Sequence, residues 1–258
     1  MKIDRLLHDW TPELTAWRHD FHAHPELGYE EHRTAARVAE LLAGFGVEVA
    51  TGIGGTGVVG TLRCGSGNRA IALRADMDAL PMDEANDFAH RSQTPGKMHG
   101  CGHDGHTTML LAAARYLATT RRFSGTVHFI FQPAEEGGGG AARMIEDGLL
   151  DRFPFDAAFG AHNDPNLPVG VVSASPGTVN AASDMLTIRL TGKGGHAARP
   201  HQAIDPVVAG AQIVLGLQTI VARRVPPLES AVISICTFHA GSAHNVIPET
   251  AVLGGTVR

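Results

Sequence analysis

Cysteine is sparse in this chain. Cys64, Cys101 and Cys236 form an odd set of three in 258 residues, which is no disulfide framework and is the usage of a reduced, cytoplasmic protein. Basic residues are not in excess either. The 21 Lys and Arg face 26 Asp and Glu, a net charge of −5 spread along the chain. A protein that grips a phosphate backbone carries basic clusters, so nucleic acid is excluded as a partner. Apolar runs are short of the ~20 residues that a membrane span needs. The opening residues, Met1-Lys-Ile-Asp-Arg5, lead into no apolar stretch or cleavage site, so no secretory signal is expected. What remains is a globular composition, 43% hydrophobic and 18% charged, long enough for one or two domains at about 150 residues each. Tryptophan and tyrosine number two each, against 15 histidines and 31 glycines. Histidine and glycine together suggest ligand-rich loops on an α/β scaffold.

The pattern predicts helices over 11–22, with Thr11 as N-cap and Pro12 at the first helical position, and over 30–43, closed by Gly44 and Gly46. Further helices are expected at 107–118 and 141–147. Short β-rich runs fall at 47–50, 58–62, 70–74, 126–131 and 157–160, and the run at 70–74 reads as a strand buried on both faces. Strands alternating with helices imply an α/β sheet. A Pro/Gly/Ser-rich stretch at 165–176 marks a boundary, giving domains 1–178 and 179–258. In the second, strands at 185–190, 231–238 and 251–257 and a helix capped by Asp205-Pro206 give a β-α-β-β order, the start of a split βαβ layout.

Four segments carry chemistry, and each follows or ends a strand-like run, where ligands bind in open α/β sheets. Met98-His-Gly-Cys-Gly-His-Asp-Gly-His106 packs a thiol, three imidazoles and a carboxylate into nine residues. Cys101 and His103, two apart, can point at one ion from an extended loop. Solvated loops seldom use such residues. Glu135 and Glu136 follow Gln132-Pro-Ala. Adjacent carboxylates cannot share one face of an element, so one can bind metal while the other accepts a proton. Asp76 and Asp78 in Arg74-Ala-Asp-Met-Asp-Ala-Leu-Pro81 are ligands, partners that orient a ligating His, or turn formers. His162 follows the run at 157–160. Cys101 as a nucleophile stays open, although a nucleophile needs one base and these segments offer many ligands. Gly52-Ile-Gly-Gly-Thr-Gly57 fits a dinucleotide fingerprint only in letters, because a strand rather than a helix should follow it.

Taken in order with Gly192-Lys-Gly-Gly-His-Ala-Ala-Arg-Pro-His201 and Asn245-Val-Ile-Pro-Glu249, these motifs resemble the M20 metallopeptidase family. The match runs from about Arg18 to Arg258 and is closest to the amidohydrolase branch acting on N-acyl amino acids. The resemblance implies a zinc-peptidase-like catalytic domain with a mixed sheet, plus an α+β ferredoxin-like lid that also makes a homodimer. It implies two divalent ions (Zn, Mn, Co or Ni) held by Cys101, His103, Glu136 and His162. Glu135 would be the general base and Asp78 the acid supporting a ligand. His196, Asn245 and Arg258 match lid residues that reach substrate, His196 among those implied in catalysis. The substrate implied is a small N-acyl amino acid, hippurate (benzoylglycine) first. The alternatives are another acyl or peptide substrate, or a relative that binds metal without turnover. Family members continue past Arg258, finish the lid and bring back a last ligating His, so a piece of a longer enzyme is expected.

Overall fold

The computed structural model describes residues 5–258, so all but Arg5 of the opening five residues lie outside it. The chain forms two compact units, Met1–Val169 and Gly170–Arg258, and the stretch 165–176 straddles the division.

The first unit is a mixed sheet between helices. Its strands are β1 (Glu48–Ile53), β2 (Gly57–Cys64), β3 (Ala70–Asp76), β4 (Gly125–Gln132) and β5 (Ala157–Gly160), in the order β1-β2-β4-β3-β5. The β1–β2 and β2–β4 pairs are antiparallel, whereas β3 runs parallel to both β4 and β5. Helices α1 (Arg5–Asp9), α2 (Thr11–Ala23), α3 (His32–Gly44), α4 (His103–Thr120), α5 (Gly140–Glu146) and α6 (Leu149–Arg152) complete it. The alternation of β4 shows why the layers hold. Val127, Phe129 and Phe131 enter a core with Trp17 and Phe21 of α2, Val38 and Leu42 of α3, and Leu111 and Ala114 of α4. Ile130 points the other way, to Met144 and Leu149, as the two-residue period of a strand requires. Each buried Phe contributes about 2–3 kcal/mol.

Several elements differ from expectation. Thr11 does not cap α2. Its hydroxyl donates to the Leu7 carbonyl at 3.2 Å, and Trp10 occupies the cap position because α1 runs into α2. Strand β3 is only half covered, since its neighbour β5 is exposed throughout. The largest shift is in α4, which begins at His103 rather than Thr107. Gly102, at φ +91°, turns the chain so that its carbonyl accepts the Gly105 and His106 N–H groups. His103 and His106 therefore stand on the first helical turn, and Cys101 and His103 do not share an extended loop.

The second unit holds β6 (Asp184–Thr191), β7 (Gly195–His196), α7 (Pro206–Arg224), β8 (Ile233–Ala240), β9 (Val246–Ile247) and β10 (Thr250–Val257). Strand β10 lies between β6 and β8, antiparallel to both, the split βαβ arrangement of a ferredoxin-like sheet. The Asp205 carboxylate accepts the Val207 N–H at 2.8 Å and caps α7 as expected. Helix α7 is 19 residues long and apolar enough, by length and composition, to cross a membrane, contrary to the reading of short apolar runs. It lies along its own sheet, where a Cβ on Gly210 would come 2.6 Å from the Phe238 ring.

Candidate metal centre

The chemistry-bearing segments of the first unit meet at the ends of β3, β4 and β5. Strand β3 runs parallel to both neighbours, so all three release their following loops on one edge. That edge receives Asp76 and Asp78 after β3, Glu135 and Glu136 after β4, and His162 after β5. The first turn of α4 brings His103 to the same place.

His103 is the centre of the arrangement. Its ring is fully buried, and Nδ1 donates to Asp78 Oδ1 at 3.3 Å. With the proton on Nδ1, the Nε2 lone pair is free, and Nε2 has no hydrogen-bond partner. Around Nε2 stand Asp76 Oδ2 at 3.6 Å, Glu136 Oε1 at 3.8 Å and Glu135 Oε2 at 3.9 Å. Asp78 also accepts the Glu136 N–H at 2.9 Å, so one buried carboxylate fixes both the imidazole and the glutamate loop. Glu135 and Glu136 converge on one point rather than facing apart. They lie on a loop, where Ala134 at φ +49° reverses the chain, and the face rule of a regular element does not hold.

Cys101 Sγ lies 3.4 Å from His162 Nε2. His162 donates from Nδ1 to the Asn163 carbonyl at 2.7 Å, which again leaves Nε2 as a lone pair. Burial and the carboxylates of Glu136, Glu135 and Asp76 push the Cys101 thiol up to about 12. Burial opposes a charged His103, but the Asp78 hydrogen bond and the charges of Asp76, Asp78 and Glu136 outweigh it and raise its pKa. Donor atoms of Cys101, His103 and His162, and of His103, Glu135 and Glu136, lie within 4.8 Å of one another. A buried lone pair with no partner, a thiol pushed away from ionisation and four crowded carboxylates are what a divalent cation would relieve. The residues fit the implied metal.

Asp76, open in the sequence between ligand, orienting partner and turn former, and His106, one of the three imidazoles of the Met98–His106 run, both belong to the frame of the site. His106 donates from Nδ1 to Asp76 Oδ1 at 2.6 Å, and its Nε2 meets Asn163 at both the side-chain Oδ1, at 2.6 Å, and the backbone N–H, at 3.0 Å. Both ring nitrogens are engaged, so His106 orients rather than ligates. Asn163 in turn packs on Gly102, where a Cβ would come 2.3 Å from Asn163 Oδ1. The spacing of His103 and His106 on one helical turn is the signal that could have identified them as a pair. Behind the site, His22 bridges Asp104 at 2.9 Å and Glu84 at 3.1 Å. Both hydrogen bonds outweigh burial and raise the His22 pKa, tying α2 to the first turn of α4.

Asp76 gives a pH expectation. Burial raises its pKa, but the hydrogen bond to His106 and the charges of His103 and Arg74 dominate and bring it from 3.8 to about 2. A depressed carboxylate contributes stability above its unfolded pKa and loses it as pH falls through the folded one. Metal-free protein should therefore lose roughly 2 kcal/mol between about pH 4 and pH 2 from this group. In acid-denaturation curves Asp76→Asn should be less stable at pH 5 and fall less steeply over that window. An equally steep fall in Asp76→Asn would assign the loss to other carboxylates.

In the second unit, His196 on β7 pairs with Val246 on β9, and the Ala197 N–H donates to the Asn245 carbonyl at 3.0 Å. Two expected substrate residues, far apart in sequence, are thus neighbours. His196 Nδ1 accepts the Ala198 N–H at 3.1 Å, which leaves Nε2 to carry the proton and act as a donor. Arg258 is exposed, its backbone paired with Val232.

Fold and site together define an α/β architecture with a candidate divalent-metal site at its strand ends, and comparison with known proteins identifies its family. Residues 72–253 match the model of peptidase family M20/M25/M40, and the chain belongs to that family. It is 47% identical over 250 residues to a hippurate hydrolase of Campylobacter jejuni, covering 97% of this chain and 65% of that protein. An N-acyl-L-amino acid amidohydrolase of Geobacillus stearothermophilus is 44% identical over 259 residues, covering 100% and 70%. Among solved structures, the Bacillus subtilis YXEP protein, a dinuclear metal binding peptidase of the M20 family, superposes with a TM-score of 0.73 at 37% identity, covering 99% of this chain and 65% of that one. The chain thus spans about two thirds of the length of these relatives. Family and cluster together support divalent metal binding.

Proposed function

We propose that this protein is a metal-dependent amidohydrolase that cleaves the amide bond of N-acyl amino acids, with hippurate the first substrate to test. The observation that carries the reading is the unpartnered, buried Nε2 of His103, surrounded by carboxylates and one turn from the Cys101–His162 pair. Cys101, His103, Glu136 and His162 would hold two divalent ions, with Zn, Mn, Co and Ni all suited to this mixed donor set. Such ions, when bound, polarise an amide carbonyl and make water a stronger acid.

The remaining chemistry falls to side chains of the chain itself. Glu135, 41% exposed at its side chain against 25% for Glu136, is the carboxylate better placed to meet substrate. It would take a proton from the attacking water and return it to the leaving amine nitrogen as the C–N bond breaks. Asp78 keeps His103 in the tautomer that presents Nε2. His196, through its Nε2–H, would donate to the carbonyl oxygen as negative charge develops there, and Asn245 and Arg258 would bind the rest of the substrate. A homodimer formed by the second unit and a cytoplasmic location complete the proposal, the latter in keeping with three free cysteines.

A panel of N-acyl amino acids, offered to protein loaded with Mn or Co, tests the reading. Release of free amino acid from hippurate or a close analogue is the expected result. Turnover restricted to peptides would move the assignment to a peptidase. Bound metal with no turnover on any member would make the chain a metal-binding relative.

A further inference from the structure

The loop bearing Glu135 is held from behind by a residue far away in sequence. Glu31, at the N-terminus of α3, is completely buried. Its Oε1 accepts the Ala134 N–H at 2.8 Å, and its Oε2 accepts the Thr56 hydroxyl at 2.5 Å. Ala134 has φ +49°, a left-handed conformation that a residue with a Cβ adopts only when its surroundings impose it. The surroundings here are unusually close. A Cβ on Gly28 would come 3.0 Å from the Ala134 Cα, and one on Gly138 would come 2.6 Å from the Ala134 Cβ. The Tyr29 hydroxyl donates to the Gly138 carbonyl at 2.6 Å, pinning the far end of the loop. The Glu26–Glu31 segment therefore clamps both ends of Ala134–Gly138.

We propose that Glu31 is a positioning residue for Glu135: by accepting the Ala134 N–H it holds the left-handed turn from which Glu135 is presented. The inference rests on the reading of Glu135 as the base in amide hydrolysis. Asp78 accepts the backbone N–H groups of Glu135 and Glu136, whereas Glu31 accepts that of Ala134, the residue whose left-handed backbone turns the chain into Glu135. A buried carboxylate is costly unless its charge is answered by donors, and the Ala134 N–H is one of the donors that answer Glu31, beside the Thr56 hydroxyl and its own backbone N–H.

Glu31→Gln keeps the shape but puts an amide where a carboxylate accepted two donors. One of its oxygens becomes an NH2 group, which either faces the Ala134 N–H or leaves it with a weaker acceptor. Glycine adopts φ > 0 without strain, so Ala134→Gly should make the turn less dependent on Glu31. The expected results on metal-loaded protein are a fall in kcat of about twentyfold or more for Glu31→Gln, with KM within threefold and metal content unchanged. The double variant with Ala134→Gly should recover at least fivefold of that loss. Hydrogen exchange should show faster amides at 134–140 in Glu31→Gln and unchanged protection in β3 and α4. If Glu31→Gln fails to fold, Thr56→Val keeps the carboxylate, removes its second partner, and should give the same pattern in weaker form.

Unchanged kcat in the folded variants, or unchanged exchange at 134–140, would overturn the proposal. So would a loss that tracks metal content or that Ala134→Gly does not relieve. Should the parent protein hydrolyse no N-acyl amino acid, the functional reading fails by itself. The exchange experiment still decides whether Glu31 holds the loop.

Discussion

Glu135→Gln is expected to lower kcat for hippurate by about a thousandfold, within the range contributed by a general base, while leaving metal content at the parent level. Glutamine matches glutamate in shape and cannot accept the proton. Glu136→Gln should lose metal together with activity. Distance alone does not separate the two, since both carboxylates lie just under 4 Å from His103 Nε2. Their surroundings do. Glu136 is the less exposed, and its carboxylate is the hydrogen-bonding neighbour that helps push up the Cys101 thiol. Glu135 has no such tie at its side chain beyond the approach to His103. Steady-state kinetics with elemental analysis on the same samples checks the pair. Near-normal kcat in Glu135→Gln would show that another group activates water.

The second large effect concerns His103. His103→Ala should strip the site of metal and abolish turnover, because it removes the imidazole shared by every candidate ligand cluster among the described residues. It also leaves buried Asp78 without its imidazole hydrogen bond and Asp76 without one of several neighbours that hold its pKa down. The variant should therefore be destabilised as well as inactive. A graded control is Asp78→Asn. It keeps the ligand but removes the acceptor that fixes its tautomer, and metal affinity should weaken by about 10- to 100-fold. Titration with Zn or Mn under competition by a chelator reads both. Full occupancy in His103→Ala would place the metal elsewhere.

Much of this site was legible before the fold was known. Strand-end acids and a run of Cys, His and Gly mark ligands by their chemistry, and the period of the apolar residues located most elements to within a few residues. What stayed hidden depended on contacts between distant segments. Asp76 and Asp78 differ by two residues, yet only the crossing of α4 decides that one holds His106 and the other His103. His106 looks like one more ligand in the sequence. Its engagement by Asp76 and Asn163 is visible only when the β3 and β5 ends lie side by side. Glu31, in the run Glu30-Glu31-His32, reads as ordinary solvated charge. Its neighbour Glu30 is that, paired with Lys97 near the surface, whereas Glu31 is sealed beneath a loop 103 positions away. Gly102 is one of many glycines in the sequence, and only its positive φ shows that it starts α4 early enough to bring His103 into the site.

The most direct test is hydrolysis of hippurate by protein whose metal content is known, before and after chelation, followed by restoration with Mn, Co or Zn. The expected result is turnover that disappears with the metal, returns with it, and is absent throughout in Glu135→Gln protein carrying a full complement of metal. Turnover that survives complete removal of metal, or metal-filled protein inert toward every N-acyl amino acid offered, would contradict the assignment.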